Sequence, residues 1–274
     1  MTSAASATHR GRVLIIAGSD SGGGAGIQAD IKAVTALGGY AATAITALTA
    51  QDTRTVHDIH EVPAAFIALQ LRVVLQDIGA DAIKTGMLHR ADIIEAVVDA
   101  LDQYAPHVPL VVDPVMVAKG GASLLQPSAA EALRTRLIPR ATLITPNLPE
   151  AEVLSGLKIA GEADMPAAAE RLLQFGPQAV LLKGGHLPGD LLVDLLRDAR
   201  GSQRFTDTRI DTTSTHGTGC TLASAIATGL AFGLSLRDAV AQARAYVRKA
   251  IETAPGFGHG HGPLNHAHTV RRPG

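Results

Sequence analysis

Short, unbroken apolar runs alternate along this chain with stretches in which apolar residues return every three or four positions. The runs are Val13 to Ala17, Ala41 to Leu48, Ala82 to Lys84, Leu110 to Val112, Leu143 to Ile144 and Ala179 to Leu182. Their continuity predicts strands of a mostly parallel sheet covered on both faces. Helices are predicted around Ile27, Ile31 and Val34, after Pro63, and over His89–Tyr104, Pro127–Leu137, Pro149–Leu154 and Met165–Phe175. Two long ones follow, Gly219–Phe232 and Ser235–Ala254, and the second stops before Pro255. Leu191–Leu196 and Gln203–Asp207 flank Gly201 and read as an antiparallel hairpin. The pattern is that of an α/β fold without internal repeats, with Gln51 to Asp58 as a polar connection and, after Pro255, a Gly- and His-rich loop followed by a frayed terminus.

In open parallel sheets, ligands collect beyond the carboxyl ends of the strands. Ser19, Asp20, Gln51, Met87, Asp113, Asn147, Glu150 and Lys183 all fall there. The run from Asp211 to Ser224 then turns through Gly217, Thr218, Gly219 and Cys220 into an apolar helix, and the free amides of such a helix start attract anions. A structural glycine turn with Cys220 as a small buried hydrophobe fits the same residues. A second corner, Gly22 to Gly26, matches a loose dinucleotide pattern through Gly24 and Gly26, and equally a tight turn. Neither corner is followed by the Gly-Lys-Ser/Thr of a P-loop.

Individual residues carry two readings each. Asp30 falls on the apolar face of its helix and must be paired or ligand-facing if buried; at a helix edge it would simply be solvated. Asp113 precedes Pro114, where a cis bond is an option, and either faces a ligand or bonds its own turn. Asn147 suits a helix cap, with Glu150 near the helix start as a magnesium candidate. Lys183 reaches either phosphate or water, Met87 is either a ligand wall or core, and Gln51 can both donate to and accept from a heterocycle. His216 is expected to bond within its own loop, and the histidines from His259 to His268 give no fixed metal set.

Composition narrows the classes. Against 25 acidic residues stand 24 Lys and Arg in 274 residues, for a net charge of -1, and aromatics are 3%. Nothing here attracts nucleic acid or a membrane in general. The single cysteine excludes an internal disulfide, and no apolar leader opens the sequence, so a soluble cytoplasmic protein is expected.

Taken together, AGSDSGGGAGIQAD, TALTAQ, KTGML, DPVM, LITPNLPEAE, LLKGGH and THGTGCTLASA resemble, in this order, the hydroxymethylpyrimidine and phosphomethylpyrimidine kinases of the ribokinase-like superfamily. The resemblance runs from Val13 to about His268. It implies a Rossmann-type three-layer sandwich without a large β lid, a single kinase domain over residues 13–268, a flexible extension over 1–12 and a tail over 269–274. It also implies phosphorylation of 4-amino-5-hydroxymethyl-2-methylpyrimidine and then of its monophosphate by ATP with Mg2+, and it is compatible with a homodimer. By resemblance, Gly18, Asp30, Gln51, Met87 and Cys220 contact the pyrimidine. Asp113, Asn147, Glu150, Lys183, Thr218 and Gly219 serve the nucleotide, with Asp113 and Glu150 toward the metal. Gly217 to Cys220 form the anion hole, with Cys220 as base or as positioning group, its thiolate favoured by the helix start and a nearby cation. A pyridoxal kinase of the same family and a non-catalytic pyrimidine- or nucleotide-binding regulator are the alternatives. Val117 to Leu124, with Lys119, Gly120 and Gly121, is the candidate mobile cover.

Overall fold

The parallel strands are buried on both faces because they are built almost wholly of Val, Ile, Leu and Ala. Consecutive side chains of the first strand divide between two cores: Leu14 and Ile16 enter one, and Val13, Ile15 and Ala17 the other. A computed structural model describes residues 11–117, 121, 124–126 and 128–270. Its nine strands form one sheet in the order β3-β2-β1-β4-β5-β6-β7-β8-β9. These are β1 (Arg12–Asp20), β2 (Tyr40–Gln51), β3 (Val56–Glu61), β4 (Ala82–Thr85), β5 (Leu110–Val112), β6 (Leu143–Ile144), β7 (Ala179–Lys183), β8 (Leu191–Asp198) and β9 (Gly201–Thr208). The six from β2 to β7 in that order run parallel, while β3 pairs antiparallel with β2 at one edge, and at the other β8 pairs antiparallel with β7 and β9 antiparallel with β8.

Helices α1 (Gly26–Ala36), α7 (Thr218–Ala231) and α8 (Leu236–Glu252) bury their apolar faces against one side of the sheet. The other side is covered by α2 (Ala64–Asp77), α3 (Ala91–Tyr104), α4 (Ala129–Ala132, continuing as a π turn over Leu133–Leu137), α5 (Leu148–Ser155) and α6 (Met165–Leu173). This is a three-layer α/β sandwich of the ribokinase-like Rossmann type. Between α1 and β2 there is only the turn Leu37–Gly39, so no lid is inserted there.

Two expectations change. Part of the polar stretch after Gln51 is the edge strand β3, which has one sheet neighbour and stays largely exposed, so it needs no apolar run. Pro114 is trans, since no cis peptide occurs among the described residues. The Gly- and His-rich loop after Pro255 is docked: the His259 and Gly260 amides donate to Thr53 Oγ1, the His261 amide to the Thr53 carbonyl, and the His216 amide to Gly262 O. Most of the proposed cover, including Lys119 and Gly120, lies outside the described residues.

Candidate active site

Because six strands run parallel, their carboxyl ends open on one side of the sheet, and the start of α7 closes over them. The result is one cavity of about 650 Å³. Gly18, Gln51, Met87, Asp113, Asn147, Glu150, Lys183, Gly217, Thr218, Gly219 and Cys220 all line it. Asp30 does not. Its carboxylate is sealed from solvent, with Oδ2 2.8 Å from Lys84 Nζ and Oδ1 accepting from Ser224 Oγ at 2.7 Å. With both oxygens engaged inside the protein, the expected hydrogen bond from a substrate to Asp30 has no acceptor at the cavity wall.

The corner before α7 is set by backbone geometry. Gly217 adopts φ 78, and a Cβ there would stand 1.9 Å from the Gly24 carbonyl oxygen. Only glycine fits such an approach. The first bond of the helical ladder runs from the Thr221 amide to Gly217 O, which leaves the amides of Gly219 and Cys220 outside the ladder at the cavity wall. Thr218 Oγ1 donates to Thr215 O at 3.1 Å.

Opposite Gly219 stands a charged pair. Lys183 Nζ is 2.9 Å from Asp113 Oδ1, which also accepts from Thr145 Oγ1 at 3.1 Å. Burial alone would lower the Lys183 pKa, but Asp113 and Glu150 outweigh it and hold the ammonium charged. Glu150 closes a capping box: its amide donates to Asn147 Oδ1 at 2.9 Å, and its own Oε2 accepts from the Asn147 amide at 2.8 Å. Burial pushes its carboxyl up to about 7, with Asp113 adding to the shift and Lys183 opposing it.

Cys220 bears on the choice between base and positioning group. Burial pushes its thiol up to about 11, and the opposing pull of Lys84 and of a hydrogen bond from the Gly26 amide does not cancel this. The group is a thiol at neutral pH, so the helix start and the cation do not produce a thiolate. His216 reaches beyond its own loop to Asp20, with Nε2 2.9 Å from Oδ2, and lies 3.4 Å from Gln51 Nε2. At the far end, Arg244 pairs with Asp194 and Asp207, and Asp194 Oδ1 accepts the Gly184 amide at 2.8 Å, which fixes the turn after Lys183.

The sequence reading missed Lys84, Asp194 and Arg244. For Lys84 the signal was available as a charge ending a short apolar strand; the other two become neighbours only through the hairpin and α8.

The family model for phosphomethylpyrimidine kinase matches residues 20–265. The chain belongs to this family. It is 55% identical over 94% of its length to the thiamine biosynthesis bifunctional protein ThiED of Geobacter sulfurreducens, although it spans only 52% of that relative. A hydroxymethylpyrimidine/phosphomethylpyrimidine kinase of Streptomyces coelicolor is 49% identical, with 93% of each chain covered. Among solved structures, the pyridoxal kinase of Staphylococcus aureus in complex with ADP superposes with a TM-score of 0.87 at 39% identity, over 95% of this chain and 94% of that one. No described helix is long and apolar enough to cross a membrane.

Proposed function

We propose that this protein transfers the γ-phosphate of ATP to the hydroxymethyl oxygen of 4-amino-5-hydroxymethyl-2-methylpyrimidine, and then a second phosphate to the monophosphate so formed. Family membership supports the reaction class. The observation that carries the reading is the convergence, in one cavity, of the open amides of the second glycine corner, the Lys183–Asp113 pair and the small heterocycle pocket around Gly18, Gln51 and Met87.

Met87 narrows that pocket, since a Cβ at Gly18 would stand 3.2 Å from its sulfur, and Gln51 offers a donor and an acceptor at its rim. The substrate oxygen attacks phosphorus in line as the bond to the bridging β-phosphate oxygen breaks. The Gly219 and Cys220 amides and Lys183 face the charge on the transferring group. A loose transition state asks little of a base, so the protonated Cys220 thiol positions the acceptor, and the hydroxyl proton leaves late in the transfer to a phosphoryl oxygen or to water.

Asp113 and Glu150 fit Mg2+. They are hard oxygen donors lining one cavity, and a cation there would offset the burial that raises the Glu150 carboxyl. No cluster of three or more metal-ligating side chains occurs among the described residues, so phosphate and water would complete the shell. When bound, the ion would neutralise phosphate charge.

The test is mass-resolved product formation from Mg-ATP with hydroxymethylpyrimidine, with its monophosphate and with pyridoxal in separate reactions. Monophosphate and diphosphate products are expected. Phosphorylation of pyridoxal alone would move the assignment to the second reading, which the close superposition on a pyridoxal kinase keeps in view.

A further inference from the structure

Lys84 and Asp30 form an ion pair beneath the cavity floor, and both side chains are wholly inaccessible to solvent. Ser224, which donates to Asp30, lies one turn after Cys220 on α7, so the pair sits under the same face of the helix whose start carries the open amides. Gly86 makes room for the ammonium: a Cβ there would stand 2.9 Å from Lys84 Nζ. Removing two charges from water is costly, and apolar side chains of similar volume often replace such pairs without loss of stability. Packing alone therefore gives no reason for this pair. Its placement does: Asp30 holds Lys84 at 2.8 Å and is itself tied at 2.7 Å to Ser224, one turn into α7 from Cys220, and the lysine's charge favours a negative sulfur there more strongly than Asp30 opposes it.

We propose that Lys84 is a positioning residue for phosphoryl transfer: Asp30 locks its ammonium beneath the first turn of α7, where the fixed charge reinforces the amides that face the transferring group. The proposal deepens the kinase reading and rests on it.

Cys220 is the only cysteine in the chain, so iodoacetamide reports on one thiol. Its alkylation rate at fixed pH follows the thiolate fraction. Burial lowers this fraction most, and Lys84, Asp30, Asp113, the Gly26 amide and Lys183 also act on it. In the double variant Lys84→Met/Asp30→Asn, which leaves no buried charge unpaired, alkylation is expected to slow severalfold. The kcat is expected to fall roughly tenfold, with KM held within about threefold. Asp30→Asn alone leaves the ammonium unopposed and should speed alkylation.

Alkylation of a folded double variant at the wild-type rate would overturn the proposal whatever kcat does. If that variant does not fold, unchanged or slower alkylation in Asp30→Asn overturns it. Alkylation requires no turnover, so a wild-type protein without kinase activity would sink the functional reading and leave the test of the buried charge intact.

Discussion

The two glycine-rich corners look alike in sequence and do opposite things with their amides. In the first, Asp20 consumes them: Oδ1 accepts from Gly22 N at 2.8 Å, and Oδ2 from Gly24 N at 3.0 Å and Ala25 N at 2.8 Å. An internal carboxylate already occupies the place an external anion would take. In the second, no side chain caps the start of α7, and the amides of Gly219 and Cys220 stay open to the cavity. The corners interlock, because the carbonyl of Gly24 blocks any side chain at Gly217 and His216 ties the second corner back to Asp20. A glycine loop before a helix is thus an anion site only when nothing in the chain reaches it first.

Substitutions can break this division of labour. Lys183→Met removes the cation beside the open corner and leaves Asp113 unpaired; kcat should fall by about 100-fold to 1,000-fold in steady-state assays, with the fold intact by circular dichroism. Gly217→Ala drives a methyl into the Gly24 carbonyl and forces a positive φ on alanine. It should destabilise the protein by more than ~2 kcal/mol in urea titrations and lower kcat by about 100-fold. Cys220→Ala keeps the amide and loses the thiol, so a loss of roughly tenfold in kcat with KM nearly unchanged is expected. A fall of 1,000-fold or more there would instead return the base role to Cys220.

The smallest catalytic effect is expected at the closed corner. Asp20→Asn should leave kcat within about fivefold while costing ~1–3 kcal/mol of stability. Its signature is in the pH dependence. Burial pushes the Asp20 carboxyl up, but the hydrogen bonds from His216, Ala25 and Gly22 outweigh burial and bring it below its ordinary value of 3.8. A depressed folded-state pKa means that its stabilisation is complete above the unfolded value and is lost as pH falls through the folded one. Wild-type protein should therefore lose more stability than Asp20→Asn on acidification across the carboxylate range, as followed by melting temperature. Equal slopes would mean that the closed corner does not depend on this charge.

Much of the fold could be read locally. Parallel strands buried on both faces must be unbroken apolar runs, and the capping of α5 by Asn147 needs nothing beyond its own four residues. β3 escaped because an edge strand can stay polar. Asp30 shows a different limit: its place on the apolar face of α1 was legible, but whether a buried carboxylate there meets a substrate or a lysine depends on Lys84, 54 positions along the chain.

The sequence by itself determined the succession of the parallel strands and their helices, the strand-end placement of the polar residues and the positions of the two glycine-rich corners, because each shows in local composition and hydrophobic period. Tertiary structure decided which corner keeps its amides open, that Asp30 turns inward and that Cys220 stays a thiol. Those outcomes depend on desolvation and on charges brought together from distant strands, and neither exists until the sheet has closed.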